Sequence, residues 1–194
     1  MKKLVHITLL FITFASTTGF YLNTKRGNPV KWNQKIIHVY FCHNMKKMNK
    51  IKMLRPFARW QVRLKNKIKF IPHLKDMPLF VKGISVCFDP FWNQKTEYDT
   101  YALTTITWGS WSGTISKAKI VFNQNFYRWT RKKKNNKKLV NFEGILLHEI
   151  GHALGLLHSS NKKTVMHARP KRLKTRTTLH KHDIIKIRKL YKVR

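Results

Sequence analysis

Carboxylates are scarce in this chain. Asp76, Asp89, Glu97, Asp99, Glu143, Glu149 and Asp183 are the whole supply, set against 41 lysines and arginines in 194 residues. Calcium sites gather several carboxylates around one ion. Seven scattered acids argue against such a cage, so Ca2+ is not expected, and backbone carbonyls alone could make only a weak site. Cysteine is equally sparse, with only Cys42 and Cys87 and no Cys-x-x-Cys spacing, which excludes a cysteine-rich zinc site. Long apolar runs are missing too. The longest candidate, "LVHITLLFITFA" (4–15), is too short and too quickly ended for a confident membrane span. There is no internal repeat.

The formal net charge is +34. Such a surface attracts anionic partners, among them nucleic acid, acidic lipid, sulfated glycan or an acidic matrix. A solubilising lysine surface accounts for the same composition. Aromatic residues do not interleave with the basic blocks, so nucleic acid is not the expected partner. "RKKKNNKK" (131–138) has no apolar anchor and reads as a solvated loop. Apolar content is ordinary at 42%, so a folded chain is expected, and its length suits one domain.

The N-terminus has the pattern of an export signal. Lys2 and Lys3 precede the apolar stretch, and the small residues of "STTG" follow it. The expectation is a signal peptide over 1–19, a short mobile segment over 20–30 and a domain over 31–194. The mature product would be secreted, monomeric and without a transmembrane span; an uncleaved anchor is the alternative. In an exported protein Cys42 and Cys87 permit one disulfide, while two buried thiols remain the other reading.

Short β-branched and aromatic runs predict strands at 36–41, 68–72, 83–88, 101–107 and 118–123. Helical spacing of Ile51, Leu54, Phe57 or Ala58, and Val62 predicts a helix over 48–64. Pro56 argues against it, at a cost of about 3 kcal/mol for an interior proline. "WGSWSGT" (108–114) reads as a turn. A last helix over 182–192 places Ile184, Ile187, Leu190 and Tyr191 on one face.

The informative stretch is "LLHEIGHALGLLHSS" (146–160). His148 and His152 are four residues apart, so on a helix they share one face, one turn apart. Gly155 can adopt the left-handed backbone that ends a helix, after which His158 can return as a third ligand. Three imidazoles plus one water is the arrangement of a catalytic zinc ion, whereas a structural zinc is closed by four protein ligands. Zinc acidifies its water to a pKa of about 7, and Glu149 would take the proton and pass it to the leaving amine. By chance, HExxH with the further glycine and histidine should occur in on the order of 1 in 10^5 such chains.

"HEIGHALGLLHS" resembles the HExxHxxGxxH signature of metzincin metalloproteases, and Ser159 after the third histidine points to the matrixins, the matrix metalloproteinase group. "TVMHA" places Met166 eight residues past His158, similar to the family's Met-turn. Asp183 fits the aspartate that ties the last helix to that turn. "FARW" and "KW" resemble further family features. The resemblance implies an α+β, zincin/metzincin-like fold, a twisted mixed five-stranded sheet with three helices. It implies one catalytic Zn2+ on His148, His152 and His158, with Glu149 as the catalytic residue. It implies a zinc-dependent endopeptidase acting on extended protein or peptide substrates. The substrate would pair with the edge strand "YALTTIT", at Ala102, Leu103 and Thr104. A roomy apolar S1′ pocket would lie between Gly144 and the segment after the Met-turn, at Ala168 and Pro170. The stretch "SKAKIVFNQNFYRW" carries lysine and asparagine where vertebrate matrixins bind a second zinc and calcium, so neither is expected. A prodomain with a blocking cysteine and a haemopexin domain are not expected either. The competing reading is a basic anion-binding protein, for glycan or nucleic acid, that retains a structural zinc site.

Overall fold

The computed structural model describes residues 4–8, 20–45, 50–73, 82–92, 100–130, 139–168 and 176–194. The strands are β1 (Leu4–Thr8), β2 (Ile36–Phe41), β3 (Lys69–His73), β4 (Gly83–Asp89), β5 (Ala102–Gly109), β6 (Ile115–Asn123), β7 (Arg128–Thr130) and β8 (Leu139–Asn141). The helices are α1 (Lys50–Arg63), α2 (Phe142–Ala153) and α3 (Lys181–Tyr191). This is the expected α+β architecture. Strands β2, β3, β4 and β6 run parallel and β5 runs antiparallel, so the five form a mixed sheet. The basic loop 131–138 lies outside the described residues.

The five expected strands are not the whole sheet. Its order is β1-β5-β6-β4-β2-β3, because residues 4–8 add a strand antiparallel to β5, from Leu4 opposite Gly109 to Thr8 opposite Thr105. An open edge is a row of unpaired N–H and C=O groups and templates another strand. The "YALTTIT" strand is therefore the outermost of the five, but its edge is partnered from Thr105 onward.

Helix α1 forms despite Pro56. Its buried stripe is Met53, Phe57 and Trp60, continued by Leu64 just past its end, each at most 2% exposed. Burying four large apolar side chains at about 1.5–3 kcal/mol each outweighs the proline cost. Of the expected stripe, Phe57 is buried and Leu54 packs against the core, whereas Val62 is 67% exposed and Ala58 faces solvent. Val39, Ile84, Ile120 and Ile106 fill the sheet's inner side, and Leu146, Leu147 and Ile150 of α2 share that core. The Trp60 indole donates to the Leu147 carbonyl at 2.9 Å, tying α1 to α2. Arg59 of α1 pairs with Glu143 of α2 at 2.8 Å.

Cys42 follows β2 and Cys87 lies in β4, neighbouring strands whose register sets Phe41 opposite Val86. The two are bridged, with Cα atoms 5.0 Å apart. Residues 20–30, expected to be mobile, make defined contacts. Leu22 N–H donates to Gly155 O at 3.0 Å, and Leu157 N–H donates to Phe20 O at 3.2 Å. Among the described residues, no helix is long and apolar enough to cross a membrane.

Candidate metal centre

The site is built on α2. Asn141 caps its start, its side chain accepting from Gly144 N–H at 3.0 Å. The helix stops at Leu154 because Gly155 takes φ 99°, a left-handed angle. A second reason for glycine is space: a Cβ there would lie 2.1 Å from the Val30 carbonyl oxygen. The chain then turns, and three ring nitrogens meet. The Nε2 atoms of His148 and His152 are 3.0 Å apart, those of His152 and His158 3.1 Å, and those of His158 and His148 3.3 Å.

The outer nitrogens decide the protonation of the first two rings. His148 Nδ1 lies 2.7 Å from the Val165 carbonyl and His152 Nδ1 lies 2.8 Å from the Leu156 carbonyl. A carbonyl only accepts, so each Nδ1 carries a hydrogen and each ring turns its Nε2 toward the other histidines. Two ring nitrogens facing each other at 3.0 Å need a proton or a metal ion between them. Burial, then the neighbouring His148 and His158, holds His152 well below the usual histidine range, so this ring stays neutral and its Nε2 is free to bind a metal. His158 is also held down, by desolvation first and then by His148 and His167. A tetrahedral ion with bonds of 2.0–2.1 Å would set its nitrogens about 3.3–3.4 Å apart. The donor set therefore fits one zinc ion.

Glu149 is 6% exposed, and Thr104 of β5 donates to its Oε2 at 2.5 Å. Burial raises the proton affinity of this carboxyl; His148 and the Thr104 hydrogen bond counteract in part. Beneath the helix, Met166 is fully buried, and its Sδ would lie 2.2 Å from a Cβ at Gly151. Asp183, also fully buried, accepts from the N–H groups of Val165 (2.9 Å), Met166 (3.4 Å) and His180 (2.9 Å). One carboxylate thus starts α3, holds the turn around Met166 and positions the carbonyl that orients His148.

The structure brings together His148, His152, His158, Glu149, Met166 and Thr104. Ala102 and Leu103 precede Thr104 on β5, beyond the positions that β1 covers. Gly144 is buried in α2, one turn before His148, Ala168 follows the Met-turn, and Pro170 lies outside the described residues. Sequence reasoning missed the Val165 and Leu156 carbonyls, which no side-chain pattern encodes. It also missed Gly151, whose only signal is a glycine inside a helix.

A family model described as Matrixin matches residues 31–192. The chain belongs to the matrixin family, which places it among the metalloproteases. A protein of Trichoplusia ni ascovirus 2c, named "Putative matrix metalloproteinase", is 61% identical over 28 residues. That match covers 14% of this chain and 6% of the viral protein's length.

Proposed function

We propose that this chain is a secreted zinc-dependent endopeptidase that hydrolyses peptide bonds in extended protein substrates. The observation that carries this reading is the set of three converging Nε2 atoms with a buried glutamate beside them, since a purely structural site needs the ligands and not the carboxylate. His148, His152 and His158 would hold the ion. When bound, zinc lowers the pKa of a water and polarises a carbonyl. Glu149 is the general base, its proton affinity raised by burial so that it can take a proton and return it to the leaving amine. Thr104 fixes the orientation of that carboxylate.

The substrate backbone would add to the β5 edge at Ala102, Leu103 and Thr104. Gly144 and Ala168 would border a deep apolar S1′ pocket, and P1′ profiling that showed a preference for glycine or alanine would remove that element. The strand at 4–8 lies on the same edge, so removal of residues 1–19 during export opens it further. The surplus of lysine and arginine would hold the secreted enzyme on an acidic matrix.

Cleavage of a peptide library, abolished by chelator and restored by zinc, tests the reading. Glu149→Ala should retain stoichiometric zinc and lose at least about a hundredfold in rate, the low end for a positioned base. A fully zinc-loaded protein that cleaves no extended peptide would sink the proposal.

A further inference from the structure

The four described aspartates and glutamates are all engaged within the chain. Asp89 accepts from Phe91 N–H at 2.8 Å, Glu143 pairs with Arg59, Glu149 accepts from Thr104, and Asp183 holds the Met-turn. Among the described lysines and arginines, only Arg59 has an ion-pair partner. The remaining described lysines and arginines have no ion-pair partner among the described residues, and at one place the fold brings several of them together.

That place is where α1 and α3 both end. Arg63 closes α1, and Lys65 and Asn66 take left-handed φ angles of 44° and 64° that turn the chain toward Lys67. Lys192 is the left-handed cap of α3, with φ 51°. Arg188 Nε donates to the Arg63 carbonyl at 3.1 Å, which joins the two helix ends. Lys31 Nζ, from the strand-like lead-in, lies 3.5 Å from the Leu190 carbonyl. Five cations from three parts of the chain thus converge, with no described aspartate or glutamate paired to any of them. Their proximity is visible in Lys31, whose proton affinity is lowered by burial and then by Lys192 and Lys67. Two of the five, Lys31 and Arg188, are spent on helix-terminal carbonyls. Arg63, Lys67 and Lys192 are exposed.

We infer that Lys31, Arg63, Lys67, Arg188 and Lys192 form a binding site for a sulfated polysaccharide. Cations spread over three elements match a chain of regularly spaced anions better than one small anion. The neighbouring rings argue against nucleic acid. Trp32 and Tyr191 are 2% and 7% exposed, with the indole donating to Ala153 O and the phenol to Leu154 O, so no face is open for base stacking. The inference deepens the acidic-matrix reading above and gives it an address.

The test uses the Glu149→Ala protein, so that binding is read independently of proteolysis, and heparin as the probe. Arg63→Gln/Lys67→Gln/Lys192→Gln removes the three outward charges and leaves the two carbonyl-bonded ones. Lys69→Gln/Lys117→Gln/Lys119→Gln removes three exposed charges from β3 and β6 as a matched control. Melting curves confirm that both fold, and Lys67→Arg/Lys192→Arg should bind as the parent does. The expected result is at least tenfold weaker heparin binding at physiological salt for the first variant, with the log–log salt slope reduced by about 2, and less than threefold change for the control. Equal losses in both variants, or no loss in either, would overturn the site. Tighter binding to single-stranded RNA or to anionic vesicles than to heparin, abolished by the same three substitutions, would overturn the choice of partner.

Discussion

Asp183 is the residue whose removal should tell most about how the metal site is held. Its carboxylate accepts from three backbone N–H groups and is fully buried. Asp183→Ala leaves Val165 N–H, bonded at 2.9 Å, without a partner in a dry setting. That costs about 1–3 kcal/mol. Met166 N–H, at 3.4 Å, loses a weaker bond. The start of α3 loses half of its capping box, for about 1 kcal/mol more. The sum is about 3–4 kcal/mol, or roughly 10 °C in melting temperature for a domain of this size. Asp183→Asn keeps one acceptor oxygen and turns an amide toward the N–H groups, so it should lose roughly half as much. The functional consequence runs through Val165, whose carbonyl orients His148 at 2.7 Å. Zinc affinity should fall about 10–100-fold, the range for loss of a ligand's orienting partner. Thermal melts with and without zinc, together with a competitive chelator titration, measure both quantities. An Asp183→Ala protein that melts within about 3 °C of the parent would refute the energetic argument. Lost stability with unchanged zinc affinity would refute the positioning argument.

Gly151→Ala gains about 1 kcal/mol of helix propensity, but its Cβ would meet Met166 Sδ at 2.2 Å and Trp60 Cζ2 at 3.3 Å. Overpacking of about 1–3 kcal/mol should win, so urea unfolding should show a net loss, and a stabilised variant would contradict this packing. Thr104→Val removes the hydrogen bond that favours the ionised form of Glu149. In the proposed mechanism the working base is the carboxylate, so its proton affinity should rise further and the acid limb of kcat/KM move to higher pH; a shift to lower pH would be inconsistent with the geometry. Opening the Cys42–Cys87 bridge, which spans 45 residues, should cost up to about 4 kcal/mol in chain entropy. Matched unfolding curves of the parent and Cys42→Ser/Cys87→Ser measure it, and superimposable curves would count against a stabilising bridge. A chain that begins at Phe20 should cleave extended peptides faster than one that retains residues 4–8 on the β5 edge; equal KM values would show that this strand does not compete with substrate.

The metal site was legible from sequence because its spacing is a local property. Four residues return one turn later on the same helix face, and a glycine that takes φ 99° lets the chain reverse three residues after His152. The five strands were legible for the same reason, from period and composition. Boundaries and faces were less so. Val62 sits at a helical interval from Leu54 and Ala58, yet the core lies on the face of Met53, Phe57 and Trp60. Periodicity constrains the width of a stripe, whereas what packs against it decides the position.

The sequence by itself determined which chemistry this chain can carry: three imidazoles, one glutamate and a chain reversal within eleven residues, on a background almost bare of carboxylates. Tertiary structure decided what long-range contact alone can supply. It joined Thr104 to Glu149 across 45 positions and Asp183 to Val165 across 18. It bridged Cys42 to Cys87, where composition left two readings open. It also laid residues 4–8 along the β5 edge and drew Lys31, Lys67 and Lys192 to one end of the fold. Backbone hydrogen bonds and like-charge proximity depend on where the chain returns, and no local pattern of side chains records that.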